Sequence, residues 1–221
     1  PRVMAIINLT DDSFSGDGLR GDLARALARA ERALEEGAEM LDIGAESTRP
    51  GSDPVPEAQE LERVVRFVEA ARDWKVPLSI DTVKPAVMRA ALAAGADMIN
   101  DINAFREPGA IEAVAAGESG LCVMHMLGQP RTMQQDPRYA DVVGEVTGFL
   151  DERVAALVAA GVARERIVLD PGFGFGKSVG HNYALLRELA RVGVGGLPVL
   201  AGLSRKSMLG AVTGRAVGER L

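Results

Sequence analysis

Asn8, Asp42, Asp81, Asn100 with Asp101, His125, Asp170 and Ser204 each stand where a short apolar run gives way to a loop. Taken singly, any of them reads as well as a cap on the helix that follows. Taken together, so many carboxylate, amide and hydroxyl side chains at strand ends read as a polar pocket. Several carboxylates in one pocket suit a ligand rich in N–H donors, or a metal cation. His125 and His181 are the only histidines, and no cysteine pair accompanies them, so zinc chemistry is poorly supported. His181 falls at a helix start and reads as structural.

Three loops add to this set. Pro171-Gly172-Phe173-Gly174-Phe175-Gly176-Lys177-Ser178 resembles a phosphate loop only superficially. Pro171 occupies the first glycine position of the Walker pattern, and Lys177 the third glycine of the dinucleotide fingerprint. The preferred reading is a flexible turn that admits a flat ligand, with Phe173 and Phe175 as stacking surfaces; the plain alternative is an ordinary loop. Glu46-Ser47-Thr48-Arg49-Pro50-Gly51 combines hydroxyls, a guanidinium and a Pro-Gly turn, which suits a loop closing on an anion. Gly202-Leu203-Ser204-Arg205-Lys206-Ser207 brings two cations to a strand end, where Lys206 can reach a carbonyl or ring nitrogen. A solvated surface loop and a basic first helical turn are the plain readings of these two.

The elements that must carry these residues alternate regularly. Strands are expected at 3–8, 40–44, 77–81, 97–100, 121–125, 167–170 and 197–203. Helices are expected at 23–36, 57–74, 85–94, 109–116, 142–160 and 182–192, with a further helical start near Lys206. The strands are apolar on both faces, as buried parallel strands are. This is the pattern of a parallel α/β fold, doubly wound or barrel, and the steady repeat favours a (β/α)8 TIM barrel. The count gives seven strands where a barrel has eight. The expectation is therefore one barrel domain over 1–221 whose eighth strand and helix lie outside this sequence.

Length and composition agree. The 221 residues, 47% hydrophobic and 25% charged, suffice for one sizeable core. A net charge of −6 without a basic block argues against nucleic acid and anionic membranes as main partners. No apolar run is long enough to span a bilayer. Residues 1–8 lack the pattern of a signal peptide, so the sequon at Asn8 is not expected to be glycosylated. Cys122, the lone cysteine, reads as a buried hydrophobe in a reducing, cytoplasmic compartment.

With these residues in view, the chain is identified as similar to the dihydropteroate synthases. Asn8-Leu9-Thr10-Asp11-Asp12-Ser13-Phe14-Ser15 resembles that family's opening loop, and Asp42-Ile43-Gly44-Ala45-Glu46-Ser47-Thr48-Arg49-Pro50-Gly51 its second signature. Ser79-Ile80-Asp81-Thr82, Ile99-Asn100-Asp101, Met124-His125-Met126, the run from Asp170 to Lys177 and Ser204-Arg205-Lys206-Ser207-Met208 follow in the family's order. Each motif is weak alone, and all of them in order are highly specific.

The resemblance implies a TIM-barrel enzyme of folate biosynthesis and a target of sulfonamides. It joins 6-hydroxymethyl-7,8-dihydropterin diphosphate to p-aminobenzoate with Mg2+ as cofactor. It implies that Asp81, Asn100, Asp170 and Lys206 hold the pterin ring, with Asp81 and Lys206 serving catalysis, and that Met124, Phe175 and Gly202 line its slot. Asn8 and Thr48 would meet the diphosphate, Asn8 also as a ligand of Mg2+. Phe14, Arg49, Pro50 and Ser207 would form the p-aminobenzoate site. A cytoplasmic homodimer is implied in the same way. Asp11, Ala45 and Leu127 depart from the family's usual residues, and the family's Arg-x-His motif on the eighth strand is not found near the end of this sequence. A pterin-binding methyltransferase acting on a corrinoid, and a non-catalytic pterin-binding paralogue, are the alternatives.

Overall fold

The structure, a computed structural model, describes residues 1–9, 18–46, 54–130 and 132–220, the side chains of 18–22 excepted. Six strands, β1 (Met4–Asn8), β2 (Met40–Gly44), β3 (Leu78–Asp81), β4 (Met98–Asp101), β5 (Gly120–Met124) and β6 (Ile167–Asp170), hydrogen-bond in chain order. Helices separate them: α1 (Gly18–Glu35), α2 (Glu57–Ala71), α3 (Pro85–Ala94), α4 (Ala110–Val114) and α5 (Val142–Ala159), with α6 (Val179–Arg187), α7 (Leu189–Val192) and α8 (Ser207–Thr213) after β6. Two compact units result. The first holds β1–β4 with α1–α4, the second holds residues 122–220 together with 102–104, and β5 passes from one to the other after Leu121.

In the first unit the strands are parallel and their register is fixed. Asn8 pairs with Gly44, Gly44 with Asp81 and Asp81 with Asn100, so these four residues share one rung. Two residues earlier, Ile6, Asp42, Ser79 and Met98 share another. Side chains alternate along a strand, so both rungs face the same way. The opposite face of β2–β4 presents Leu41, Ile43, Ile80 and Ile99, all fully buried, and Val64, Phe67 and Val68 of α2 and Val87, Met88 and Ala91 of α3 are buried as well. Burial on both faces explains the near-continuous apolar runs. In the second unit, Cys122 and Val123 of β5 and Ile167 and Leu169 of β6 are buried, as are Val146, Leu150 and Leu157 of α5. Cys122 is a free, buried thiol.

Three expected elements differ most, one of them the helix expected at 23–36, which begins at Gly18. The strand expected at 197–203 is reduced to a parallel bridge between Leu169 and Val199, held by Leu169 N–H to Pro198 O (2.9 Å) and Leu200 N–H to Leu169 O (2.8 Å). Pro198 lacks an N–H, which limits ladder pairing around it. The helix expected from 182 begins earlier, at Val179, because Ser178 caps it. Ser178 Oγ accepts His181 N–H at 3.2 Å, and His181 Nδ1 accepts Ser178 N–H at 3.2 Å. His181 is thus a capping residue, as its position suggested. The same helix ends at Glu188, and a separate short turn, α7, follows.

Candidate functional site

In the first unit each of the two rungs carries one carboxylate, Asp42 on one and Asp81 on the other. Asp42 lies mid-strand in β2 rather than at its end, which corrects the strand-end reading of this residue. Its Oδ1 accepts the Ser79 hydroxyl at 2.7 Å and its Oδ2 accepts Asn100 Nδ2–H at 3.0 Å. A carboxylate only accepts here, so the Asn100 amide must turn its NH2 toward Asp42. Asn100 Oδ1 is left buried without a hydrogen-bond partner among the described residues. An unpaired buried carbonyl costs about 1–3 kcal/mol, which a ligand N–H would recover.

Asp81, at the end of β3, lies beside Gly44, where a side chain's first carbon would sit 3.4 Å from the Asp81 carboxylate. Burial, then the neighbouring Asp42, Asp101, Glu60 and Glu46 carboxylates, raise Asp81 well above the ordinary carboxylate range. Burial raises Asp42 also, against the hydrogen bonds from Ser79 and Asn100, which lower it. Crowded carboxyl groups favour a cation or N–H donors beside them. Asp101 is spent locally: its Oδ2 accepts Phe105 N–H at 2.7 Å, closing a turn in which Ala104 and Phe105 both have φ of 55°.

Sequence reasoning missed a second network in this unit. Lys84 Nζ donates to Glu46 Oε2 (2.5 Å), to Val55 O (2.8 Å) and to Glu60 Oε2. Glu60 Oε1 accepts the Thr82 hydroxyl at 2.5 Å, and Thr82 Oγ1 accepts Lys84 N–H at 3.2 Å. Burial lowers the Lys84 pKa, but the two glutamates outweigh it and raise the value overall. Glu60 stands in the first turn of α2, and only its burial, which the sequence does not display, marks it as paired, since Glu is rarely buried unpaired.

In the second unit, β6 delivers Asp170, whose Oδ1 accepts Gly172 N–H at 2.7 Å. The turn that follows packs closely against the segment after β5. A side chain on Gly172 would overlap His125 O, and one on Gly176 would overlap Leu127 O, so both glycines are required by the protein's own backbone. Lys177 is buried and donates to His125 Nδ1 (2.9 Å), Gly172 O (3.0 Å) and Phe175 O (3.0 Å). Burial lowers its pKa to about 7, against the favourable charge of Asp170. Phe173 is 1% exposed and belongs to the core, so it offers no stacking face; Phe175 keeps partial exposure. Lys206 runs past Gly174, whose added side chain would sit 3.3 Å from Lys206 Cδ, and its Nζ stands 4.4 Å from the Phe175 ring centroid. Burial lowers the Lys206 pKa, and Asp170 opposes this.

The other expected site residues fall as follows. Asn8 is half-buried at the end of β1, and Met124 is buried at the end of β5. Gly202 is half-exposed in the segment before α8, and Ser207 opens that helix. Phe14, Thr48, Arg49 and Pro50 lie outside the described residues. Among the described residues no group of three or more His, Cys, Asp or Glu side chains is arranged to hold a metal.

The family model for pterin binding enzymes matches residues 4–221. The dihydropteroate synthase of Haemophilus influenzae is 50% identical over 222 residues, covering 100% of this chain and 81% of that protein. This chain belongs to the dihydropteroate synthase family. Dihydropteroate synthases are transferases, and their solved structures share this chain's fold, the TIM barrel. The Burkholderia cenocepacia dihydropteroate synthase complexed with 7,8-dihydropteroate superposes with a TM-score of 0.90 at 58% identity, over 100% of this chain and 78% of that one. The Xanthomonas albilineans dihydropteroate synthase with 4-aminobenzoic acid gives 0.92 at 50% identity, over 100% and 80%.

Proposed function

We propose that this chain catalyses the reaction of the dihydropteroate synthases, in which 6-hydroxymethyl-7,8-dihydropterin diphosphate and p-aminobenzoate give 7,8-dihydropteroate and diphosphate. The observation that carries the reading is the buried, unpaired Asn100 Oδ1, oriented by Asp42 and on the same rung as Asp81. A pterin's amino-pyrimidinone edge presents the N–H donors that such acceptors require.

In this reading Asp170 accepts two pterin N–H bonds, strengthened by its charge, and Asn100 Oδ1 accepts another. Lys206 donates to a ring nitrogen or carbonyl, and Phe175, Met124 and Gly202 flank the ring. The C–O bond to diphosphate breaks, the p-aminobenzoate nitrogen forms the new C–N bond, and the amine proton leaves with diphosphate or water. Positive charge develops on the pterin methylene as the C–O bond lengthens. Asp81, crowded by other carboxyl groups, stabilises that charge. No nucleophilic side chain is needed.

Asn8 supplies one hard oxygen donor for Mg2+, which suits an ion held mainly by diphosphate oxygens and water rather than by a protein cage. Bound there, Mg2+ would neutralise charge on the leaving diphosphate. Thr48 meets the diphosphate, and Phe14, Arg49, Pro50 and Ser207 receive p-aminobenzoate, which binds after the pterin diphosphate. A cytoplasmic homodimer inhibited by sulfonamides completes the proposal, on the support of the family resemblance.

The test is direct. The protein as its gene encodes it is supplied with the dihydropterin diphosphate, p-aminobenzoate and Mg2+, and 7,8-dihydropteroate is sought by mass spectrometry. Its formation is expected. Its absence, with methyl transfer from a methylated pterin to a corrinoid in a parallel assay, would overturn the reading in favour of a methyltransferase.

A further inference from the structure

The glycine turn after β6 carries the Phe175 ring, and the peptide groups on either side of that ring are gripped by side chains from elsewhere in the second unit. Gln134 Nε2 donates to Gly174 O, and the Tyr139 hydroxyl donates to Gly176 O at 2.9 Å. Both donors belong to the segment between β5 and α5. Asn182 of α6 holds the same turn from another side: its Oδ1 accepts Gly174 N–H at 2.8 Å, and its Nδ2 donates to Ser178 O at 2.7 Å. Phe175 itself donates its N–H to Gly172 O at 3.0 Å, and its carbonyl accepts Lys177 Nζ at 3.0 Å. The carbonyls of Gly174, Phe175 and Gly176 are therefore each engaged by a donor of the protein, and what the turn has left to present is the Phe175 ring.

Tyr139 is a firm donor. Its ring is half-buried and stands edge-on to His181, with 4.9 Å between centroids. Burial, then the Glu145 carboxylate, raise the pKa of its phenol, so the hydroxyl keeps its proton. Gly176 is buried, and a buried carbonyl that loses its donor is not readily repaired by water. Gln134 is exposed, and its hold on Gly174 O is the weaker of the two. Phe175, between the two held glycines, is half-buried and has Lys206 Nζ 4.4 Å from its ring centroid. An aromatic face fixed before a flat ligand arrives loses little further freedom when the two stack.

We propose that Tyr139 and Gln134 are positioning residues for the pterin: by holding the carbonyls of Gly176 and Gly174 they fix the turn that presents Phe175 beside Lys206. This rests on the proposed function, in which Phe175 flanks the pterin ring and Lys206 donates to it. Neither Tyr139 nor Gln134 touches substrate in this role; both act through Phe175.

A mutant cycle on the full protein tests it, with 6-hydroxymethylpterin as the probe and calorimetry as the readout. Tyr139→Phe removes the hydroxyl and keeps the ring against His181; Gln134→Ala removes the other donor. Combined, they are expected to weaken pterin binding about tenfold in the wild-type background and less than about twofold in a Phe175→Ala background, since all three changes act through one ring. Equal losses in the two backgrounds would overturn the proposal, and so would unchanged affinity with a lowered Tm, because a merely structural role predicts one of these. If the combined variant fails to fold, Tyr139→Phe alone enters the same cycle, with a loss of about fivefold expected and the same dependence on Phe175. A Phe175→Ala variant with wild-type affinity would remove Phe175 from the pterin site, and this role with it, while dihydropteroate formation, assayed separately, would still stand. A wild-type protein that neither binds the probe nor forms dihydropteroate would instead defeat the proposed function, on which this role rests.

Discussion

Asp42 accepts the amide N–H of Asn100 at 3.0 Å, and that bond decides which atom of Asn100 remains for a ligand. Asp42→Ala frees the amide to rotate and is expected to weaken binding of a pterin by about 1–2 kcal/mol, the range for one buried hydrogen bond and its orientation. Asp42→Asn should bind nearly as the wild type does. Its one oxygen can still accept from Asn100 while the Ser79 hydroxyl turns to accept from the new NH2. Calorimetry on the two variants checks the order, and equal losses in both would show that charge rather than orientation matters.

Asp81 is raised well above its ordinary pKa in the fold, so the folded chain holds this proton more tightly than the unfolded chain. The associated stability is present at low pH and is lost as pH rises through the folded value. Asp81→Asn removes a carboxyl whose ionisation the crowded site opposes and is expected to raise Tm near neutral pH by about 2–4 °C, the shift that about 1 kcal/mol produces in a domain of this size. It should also lower kcat sharply. Thermal unfolding and turnover measured on one preparation check both halves.

Asp170 accepts Gly172 N–H through Oδ1 at 2.7 Å. Asp170→Asn keeps the size but puts a donor where pterin N–H groups arrive, and it removes charge assistance. Pterin affinity is expected to fall by about 2–4 kcal/mol, the cost of breaking a buried charged hydrogen bond. Near-native affinity by calorimetry would remove Asp170 from the pterin site.

The two lysines of the second unit should separate by readout. Lys206→Ala is expected to weaken pterin binding and leave Tm almost unchanged, because Lys206 contacts the Phe175 ring face and no buried carbonyl. Lys177→Met should lower Tm instead, by stranding the Gly172 and Phe175 carbonyls. It should also change the pH profile. Lys177 titrates at about 7 in the fold against an ordinary 10.5, so between these values the unfolded chain binds the extra proton. Wild-type stability therefore gains from Lys177 as pH rises through that window, by at most about 1.4 kcal/mol per pH unit. Urea titrations across the window should show a shallower rise in Lys177→Met, and an unchanged slope would mean that Lys177 is not the group responsible.

The strand ends and the order of elements were legible because buried parallel strands leave long apolar runs and their polar termini interrupt those runs. Asp81, Asn100 and Asp170 could be picked out for that reason. Asp42 was misplaced by two residues because an aspartate inside a strand looks, in one dimension, like an aspartate ending it. A further reason for two of the glycines was not legible, because Gly172 and Gly176 face the carbonyls of His125 and Leu127, far away in sequence. Phe173 and Phe175 are indistinguishable in sequence and are parted only by packing. The Lys84 network was unreadable because its partners are separated by 24 and 38 residues, with no periodicity linking them.

The rung that joins Asn8, Gly44, Asp81 and Asn100 is set by backbone hydrogen bonds, which residues other than proline can supply. This makes each strand with its following helix an exchangeable cassette. A cassette taken from a distant relative would bring its terminal residue to the same level, provided that it spans the same number of residues from strand start to rung. Recombination with crossovers inside the helices should then conserve the site. A single-residue deletion within a strand would turn its polar row into the hydrophobic layer. Substitution and shuffling are open to such a lineage, and length change within the strands is closed to it.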